Sequence, residues 1–157
     1  MNGGILPFVL IAALAAMMIY AAWTDIRRRE IDNGLNGTIA LMAPLFWWSA
    51  GLPVWPDMAL QILTGLIVLA LFAILFAMGA MGGGDVKMIA ALSLWLPLGL
   101  LMPMLFVMAI AGGVLTAAML IHHRITKSQA ELEIPYGVAI AAGGLWVSPE
   151  LYFNQFT

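Results

Sequence analysis

Cysteine is absent from the 157 residues. That excludes disulfides, thiolate catalysis and Cys-ligated zinc. Charge is nearly absent too: 9% of residues are charged, against about 25% in a soluble domain. Neither sign dominates, and a net charge of −2 gives no footprint for a nucleic-acid partner. No Lys or Arg precedes the first apolar run, and that run is longer than the apolar core of a cleavable signal peptide. Repeats, low-complexity tracts and linkers are missing as well. What fills the chain is apolar: 64% of residues are hydrophobic and the mean hydropathy is +1.03. Such a chain cannot cover itself with a wet surface, so it reads as an integral membrane protein. Its length predicts one all-α membrane helix bundle, a single domain over residues 1–157.

A spanning helix needs about 20 apolar residues. The pattern predicts six spans, at 5–23, 37–51, 58–78, 86–100, 102–121 and 136–153, with Pro97, Gly99 and Pro103 separating the fourth from the fifth. All six cations fall in alternate connections: Arg27 to Arg29, then Lys87, then Arg124 with Lys127. The positive-inside rule makes those connections cytoplasmic and puts both termini outside. Gly65, Gly112, Gly113, Gly143 and Gly144 are expected to allow close helix approach. Trp23, Trp47, Trp48, Trp55 and Trp146 are expected near the interfaces.

Ionisable groups at the membrane are costly, so their positions carry information. Asp57 and Glu150 fall on the outer side, and Glu131 and Glu133 read as solvated loop charges. Asp25 closes the first span and Asp85 opens the fourth, both at the cytoplasmic boundary. Two carboxylates in one desolvated site share a proton, so that one acts as base and the other as acid. Asp85 follows Gly82, Gly83 and Gly84 in "MGAMGGGDVKMIAAL" (residues 78–92). These glycines would permit close backbone approach and unusual dihedrals. Composition and spacing leave a second reading open: Asp85 as a helix N-cap, and Asp25 as an ion-pair partner of Arg28 or Arg29. Lys87 has two readings also, tuning Asp85 or snorkelling to the interface. Adjacent His122 and His123 point about 100° apart on a helix of 3.6 residues per turn. They fit a helix C-terminus better than a metal site, and neither a metal nor a cofactor is expected.

The paired stretches "TDIRRREIDN" and "GGGDVKM" together resemble the type IV prepilin peptidases, membrane aspartic proteases of the GxGD kind. Asp25, Arg27, Ile31 and Asn33 match the family's first stretch; Gly82, Gly84, Asp85 and Lys87 match its second. Asp32 stands where the family usually has Pro. "IPYGVAIAAGG", from Ile134, is similar to the opening of the last helix in short family members, placing Tyr136 and Gly137 at the border of the site. The resemblance implies catalytic Asp25 and Asp85, with Lys87, Gly82, Gly83, Gly84 and Tyr136 as binding or tuning residues. It also implies a prepilin or pseudopilin substrate, cut after a Gly just before its hydrophobic segment at the cytoplasmic face of the bacterial inner membrane. Other expected partners are the lipid bilayer and the pilus-assembly machinery. The short length and missing Cys point to the peptidase-only form of tight-adherence (Flp) systems. Asp85, at a helix N-terminus near Lys87, is expected to be the charged member, and Asp25 to keep the proton. The rivals are an archaeal-type preflagellin peptidase, another GxGD intramembrane protease, a small transporter and a noncatalytic pilus-assembly subunit. Transporters place polar groups near the midplane and often carry inverted repeats, whereas here both acids lie at one edge.

Overall fold

A computed structural model describes residues 4–126 and 134–154. Lys127, Glu131, Glu133 and the C-terminal residues from 155 lie outside them. The described residues form six helices: α1 (Ile5–Arg28), α2 (Asn33–Ser49), α3 (Ala59–Ala77), α4 (Gly83–Ser93), α5 (Leu98–Thr126) and α6 (Tyr136–Asn154). An irregular turn, Val54–Met58, leads into α3. The fold is the all-α membrane bundle that the composition implies. Three helical stretches, Ile5–Arg28, Val54–Ala77 and Leu98–Thr126, are long and apolar enough to cross a membrane.

Several boundaries differ from expectation, each for a local reason. Helix α1 runs to Arg28, so Asp25 sits inside its last turn; the helix stops where Arg29 turns left-handed (φ 56°) and donates its N–H to the Asp25 carbonyl. Helix α2 starts at Asn33, four residues before the predicted span, which places the polar run "NGLNG" on the helix. The break between α4 and α5 falls at 94–97, ahead of the predicted one. Pro97 alone makes it, because the residue before a proline is pushed out of helical geometry. Pro103 is absorbed inside α5, where its missing N–H frees only the Gly99 carbonyl near the helix start. Helix α4 therefore has 11 residues, about 16 Å at 1.5 Å per residue, too short to cross a hydrocarbon core of about 30 Å.

That short helix is the centre of the bundle. It packs against α2, α3 and α6; α6 packs against α1 and α5, and α1 against α2. Met88, Ile89 and Trp95 are fully buried, with Met18, Ile39, Phe46, Met104 and Ile140 around them. The Trp95 ring stacks on Phe46 at 5.0 Å. Trp47, expected at an interface, is buried, while Trp23, Trp48, Trp55 and Trp146 are exposed. Gly143 lets α6 approach the backbone of α5, where an added Cβ would lie 2.6 Å from the Met104 carbonyl oxygen; Gly113, by contrast, faces open space.

Helix α4 survives at this depth because its loose end is satisfied. A helix leaves its last carbonyls unpaired, and hydrocarbon offers them no donor. The Leu94 carbonyl accepts from Trp47 Nε1 (2.8 Å) and Gln61 Nε2 (3.3 Å), and Trp95 Nε1 donates to the Ile39 carbonyl (2.8 Å). Met104 lies beside Gly143, and Tyr136 beside Gly112, so α5 and α6 are antiparallel. The starts of α2, α4 and α6 thus gather with the ends of α1, α3 and α5, and Arg27 to Arg29, Lys87 and Arg124 all belong to that end.

Candidate active site

Asp25 lies on α1 and Asp85 in the first turn of α4, sixty positions apart. Both line one cavity of about 420 Å³, together with Arg29, Ile31, Asn33, Gly82, Gly83, Gly84 and Lys87. The chain between Arg29 and Asn33 brings this about. After the left-handed turn at Arg29, Ile31 is folded inward and buried. It wedges between α4 and α6: a Cβ on Gly84 would lie 3.2 Å from the Ile31 carbonyl oxygen, and one on Gly137 would lie 2.7 Å from Ile31 Cδ1. Two hydrogen bonds tie the same segments. Lys87 Nζ donates to Asn33 Oδ1 (2.7 Å), and Asn36 Nδ2 donates to the Gly84 carbonyl (3.0 Å). The two sequence stretches are therefore stitched side by side.

Asp25 is buried, and the backbone N–H of Gly137 donates to its Oδ2 at 2.7 Å. That contact needs a residue without a side chain, since a Cβ on Gly137 would sit 2.8 Å from the same oxygen. Asp85 is the second carboxyl of the cavity and is partly buried. Burial pushes its carboxyl up to about 7; the charge of Asp25 adds to the rise, and the Gly82 backbone N–H opposes it. Burial thus works against the charged form that its helix N-terminus and Lys87 were expected to favour. Desolvation outweighs the helix dipole here, and Lys87 spends its bond on Asn33.

Other expectations sort themselves by position. Asp85 is not the N-cap of α4; Gly82 is. Gly82, Gly83 and Gly84 line the cavity, but Gly82 is ordinary extended backbone (φ −71°), and the positive φ belongs to Gly79 (73°). What the motif glycines supply is close approach. Tyr136 does not line the cavity. Its ring lies against Gly112 and borders a neighbouring cleft with Met81, Ala109 and Thr116. Of the arginines, Arg29 lines the cavity, while Arg27 stacks over the Trp23 ring at 5.8 Å, away from it. No group of three His, Cys, Asp or Glu able to hold a metal exists among the described residues.

One buried polar residue escaped sequence reasoning. Asn36 is 4% exposed, and its Oδ1 has no partner. The available signal is an amide in the polar run that opens α2, one residue outside the predicted span. An unpaired buried acceptor costs about 1–3 kcal/mol.

The type IV leader peptidase family profile matches residues 12–117, a stretch holding both aspartates. The chain is 30% identical over 137 residues to the prepilin leader peptidase/N-methyltransferase of Bacillus subtilis (strain 168), covering 83% of this chain and 51% of the relative. The chain thus spans about half the length of the curated relative it matches. No solved structure matches it.

Proposed function

Because the chain belongs to the type IV leader peptidase family, we propose that it is a membrane aspartic endopeptidase that removes the leader of a prepilin with Asp25 and Asp85. The observation that carries this reading is the shared cavity, in which one carboxyl is hydrogen-bonded by a backbone N–H and the other is pushed up to about 7.

The two environments divide the labour. Ionised Asp25, oriented by the Gly137 N–H, takes a proton from a water as its oxygen attacks the scissile carbonyl carbon. Protonated Asp85 donates to the carbonyl oxygen. In the collapse of the tetrahedral species the C–N bond breaks, the leaving nitrogen receives the proton held on Asp25, and Asp85 regains its own from the former carbonyl oxygen. Each carboxyl ends as it began. General acid–base help of this kind is worth about 10²–10⁴-fold.

The cations support a cytoplasmic site in the inner membrane, since Arg29 and Lys87 line the cavity and basic residues mark the inner face. A short Flp-type prepilin or pseudopilin, cut just before its hydrophobic segment, fits a cavity at a membrane boundary. The test is cleavage of a candidate prepilin by the purified protein in lipid, with the products weighed by mass spectrometry. One cut before the hydrophobic segment is expected, lost in Asp25→Asn and in Asp85→Asn. Full-rate cleavage by either variant overturns the two-carboxylate reading.

A further inference from the structure

The chain leaves α1 through a residue of unexpected type. Arg29 sits in the left-handed region (φ 56°, ψ 32°), and among the described residues every other positive φ belongs to glycine. The residue that ends a helix in this way is usually glycine, because a Cβ crowds the following carbonyl oxygen and glycine has none. The turn itself is required. Its N–H caps α1 by donating to the Asp25 carbonyl (2.9 Å), and the chain beyond it folds Ile31 into the core. Glycine would make the same turn and the same bond with less strain, so backbone geometry gives no reason for an arginine. Strain that persists at the edge of a reactive site points to a use for the side chain.

The surroundings of Arg29 indicate that use. It lines the cavity of the two aspartates. The other charged residues there are Asp25 on α1, Glu30 and Asp32 on the connection to α2, and Asp85 with Lys87 on α4. Helix α2 adds the neutral Asn33. Helix α6 adds the Gly137 N–H, while Tyr136 borders the neighbouring cleft. Four acids thus face two cations, and the two cations differ. Lys87 is held on Asn33. The Arg29 side chain makes no hydrogen bond to another described residue, and its charge reaches the Asp25 carboxyl. Arg27, over the Trp23 ring, is directed elsewhere.

We propose that Arg29 is a positioning residue for the hydrolysis: its guanidinium keeps the Asp25 and Asp85 pair in the singly ionised form that can take a proton from water. The catalytic consequence rests on the peptidase reading above; the electrostatic one does not. Two carboxyls in one desolvated cavity resist becoming charged, and a cation beside them offsets the first negative charge. The pair titrates as a unit, so the effect of Arg29 is read on the pair. Because Arg29 is exposed, its own charge stays hydrated while it acts from the cavity mouth.

The left-handed turn makes the test clean. Arg29→Gly removes the charge, keeps the capping N–H and suits the turn; Arg29→Lys keeps the charge. Both are measured in the full chain in lipid. Arg29→Gly is expected to melt at or above the native temperature. The acidic limb of its prepilin cleavage profile should nonetheless move up by about half a pH unit or more, and infrared titration of the carboxyl C=O band, without substrate, should move the same way. Arg29→Lys should keep the native limb and the native titration. An Arg29→Gly variant with unmoved titration overturns the proposal, whether or not its melting temperature falls, since the side chain is then structural or idle. An Arg29→Lys variant that shifts as far as Arg29→Gly overturns it too, because charge is then not what matters. Absence of cleavage by the native chain overturns the peptidase reading instead, and the infrared titration still decides whether Arg29 governs the pair.

Discussion

Helices α4 and α5 meet at Pro97 and share little else. Helix α5 has 29 residues and a mean hydropathy of 2.4 in its most apolar window, yet 11% of that window is buried. Helix α4 has 11 residues, carries Asp85 and Lys87, and buries Val86 and every residue from Met88 to Ser93. The more apolar helix is the more exposed one. In water this would be inverted. In lipid no hydrophobic drive pulls helices together, so a long apolar helix rests against acyl chains at no cost. A short helix with polar ends must instead be wrapped, because hydrocarbon cannot satisfy its termini. The wrapping by α2, α3 and α6 is also what holds Asp85 beside Asp25.

The contrast can be sharpened by substitution. Ile89→Ala, in the fully buried face of α4, should cost about 2–5 kcal/mol, measured by denaturation in detergent; a cost below that range would mean that α4 is not the keystone. Gly137→Ala should lower prepilin cleavage about 100-fold, since the added methyl displaces Asp25 and misplacement by about 1 Å carries that penalty. Asn36→Ala leaves the Gly84 carbonyl without its donor but also removes the unpaired Oδ1, opposing effects of about 1–3 kcal/mol each, so thermal denaturation should show little net change. Asp85→Asn should abolish cleavage but raise stability at alkaline pH. The sign follows from the raised folded pKa: above the ordinary 3.8 the unfolded chain releases a proton that the folded chain keeps until about 7, so native stability falls as pH climbs through that window. The neutral amide removes the fall, and thermal denaturation at pH 5 and pH 8 reads the difference. Smallest of all, Ile121→Ala on the 60%-exposed face of α5 should change stability by less than about 0.5 kcal/mol.

The same contrast explains which features could be read in advance. The bounds of α3 and α6 and the alternation of cations follow from apolar run length and charge, properties that lipid-facing helices display openly. Asp25 and Asp85 stood out because acids are rare in such a chain. What depended on tertiary wrapping was hidden. Nothing local distinguishes Pro97, which breaks the chain, from Pro103, which does not. Asn36 is informative only once Gly84 is known to be its partner. Gly137, rather than Tyr136, borders the aspartates because Ile31 and Asp25 occupy the space a side chain would need. The effect of burial on the carboxyls was hidden as well, because the helix dipole is visible in sequence and desolvation is not.

The central claim is that Asp25 and Asp85 form one electrostatic unit with a proton on Asp85 near neutrality. Infrared titration of the carboxyl C=O band in the purified protein tests it without a substrate. A protonated carboxyl that ionises near pH 7 is expected, absent in Asp85→Asn and shifted to lower pH in Asp25→Asn. A band that persists in Asp85→Asn, or that titrates unchanged in Asp25→Asn, would contradict the account.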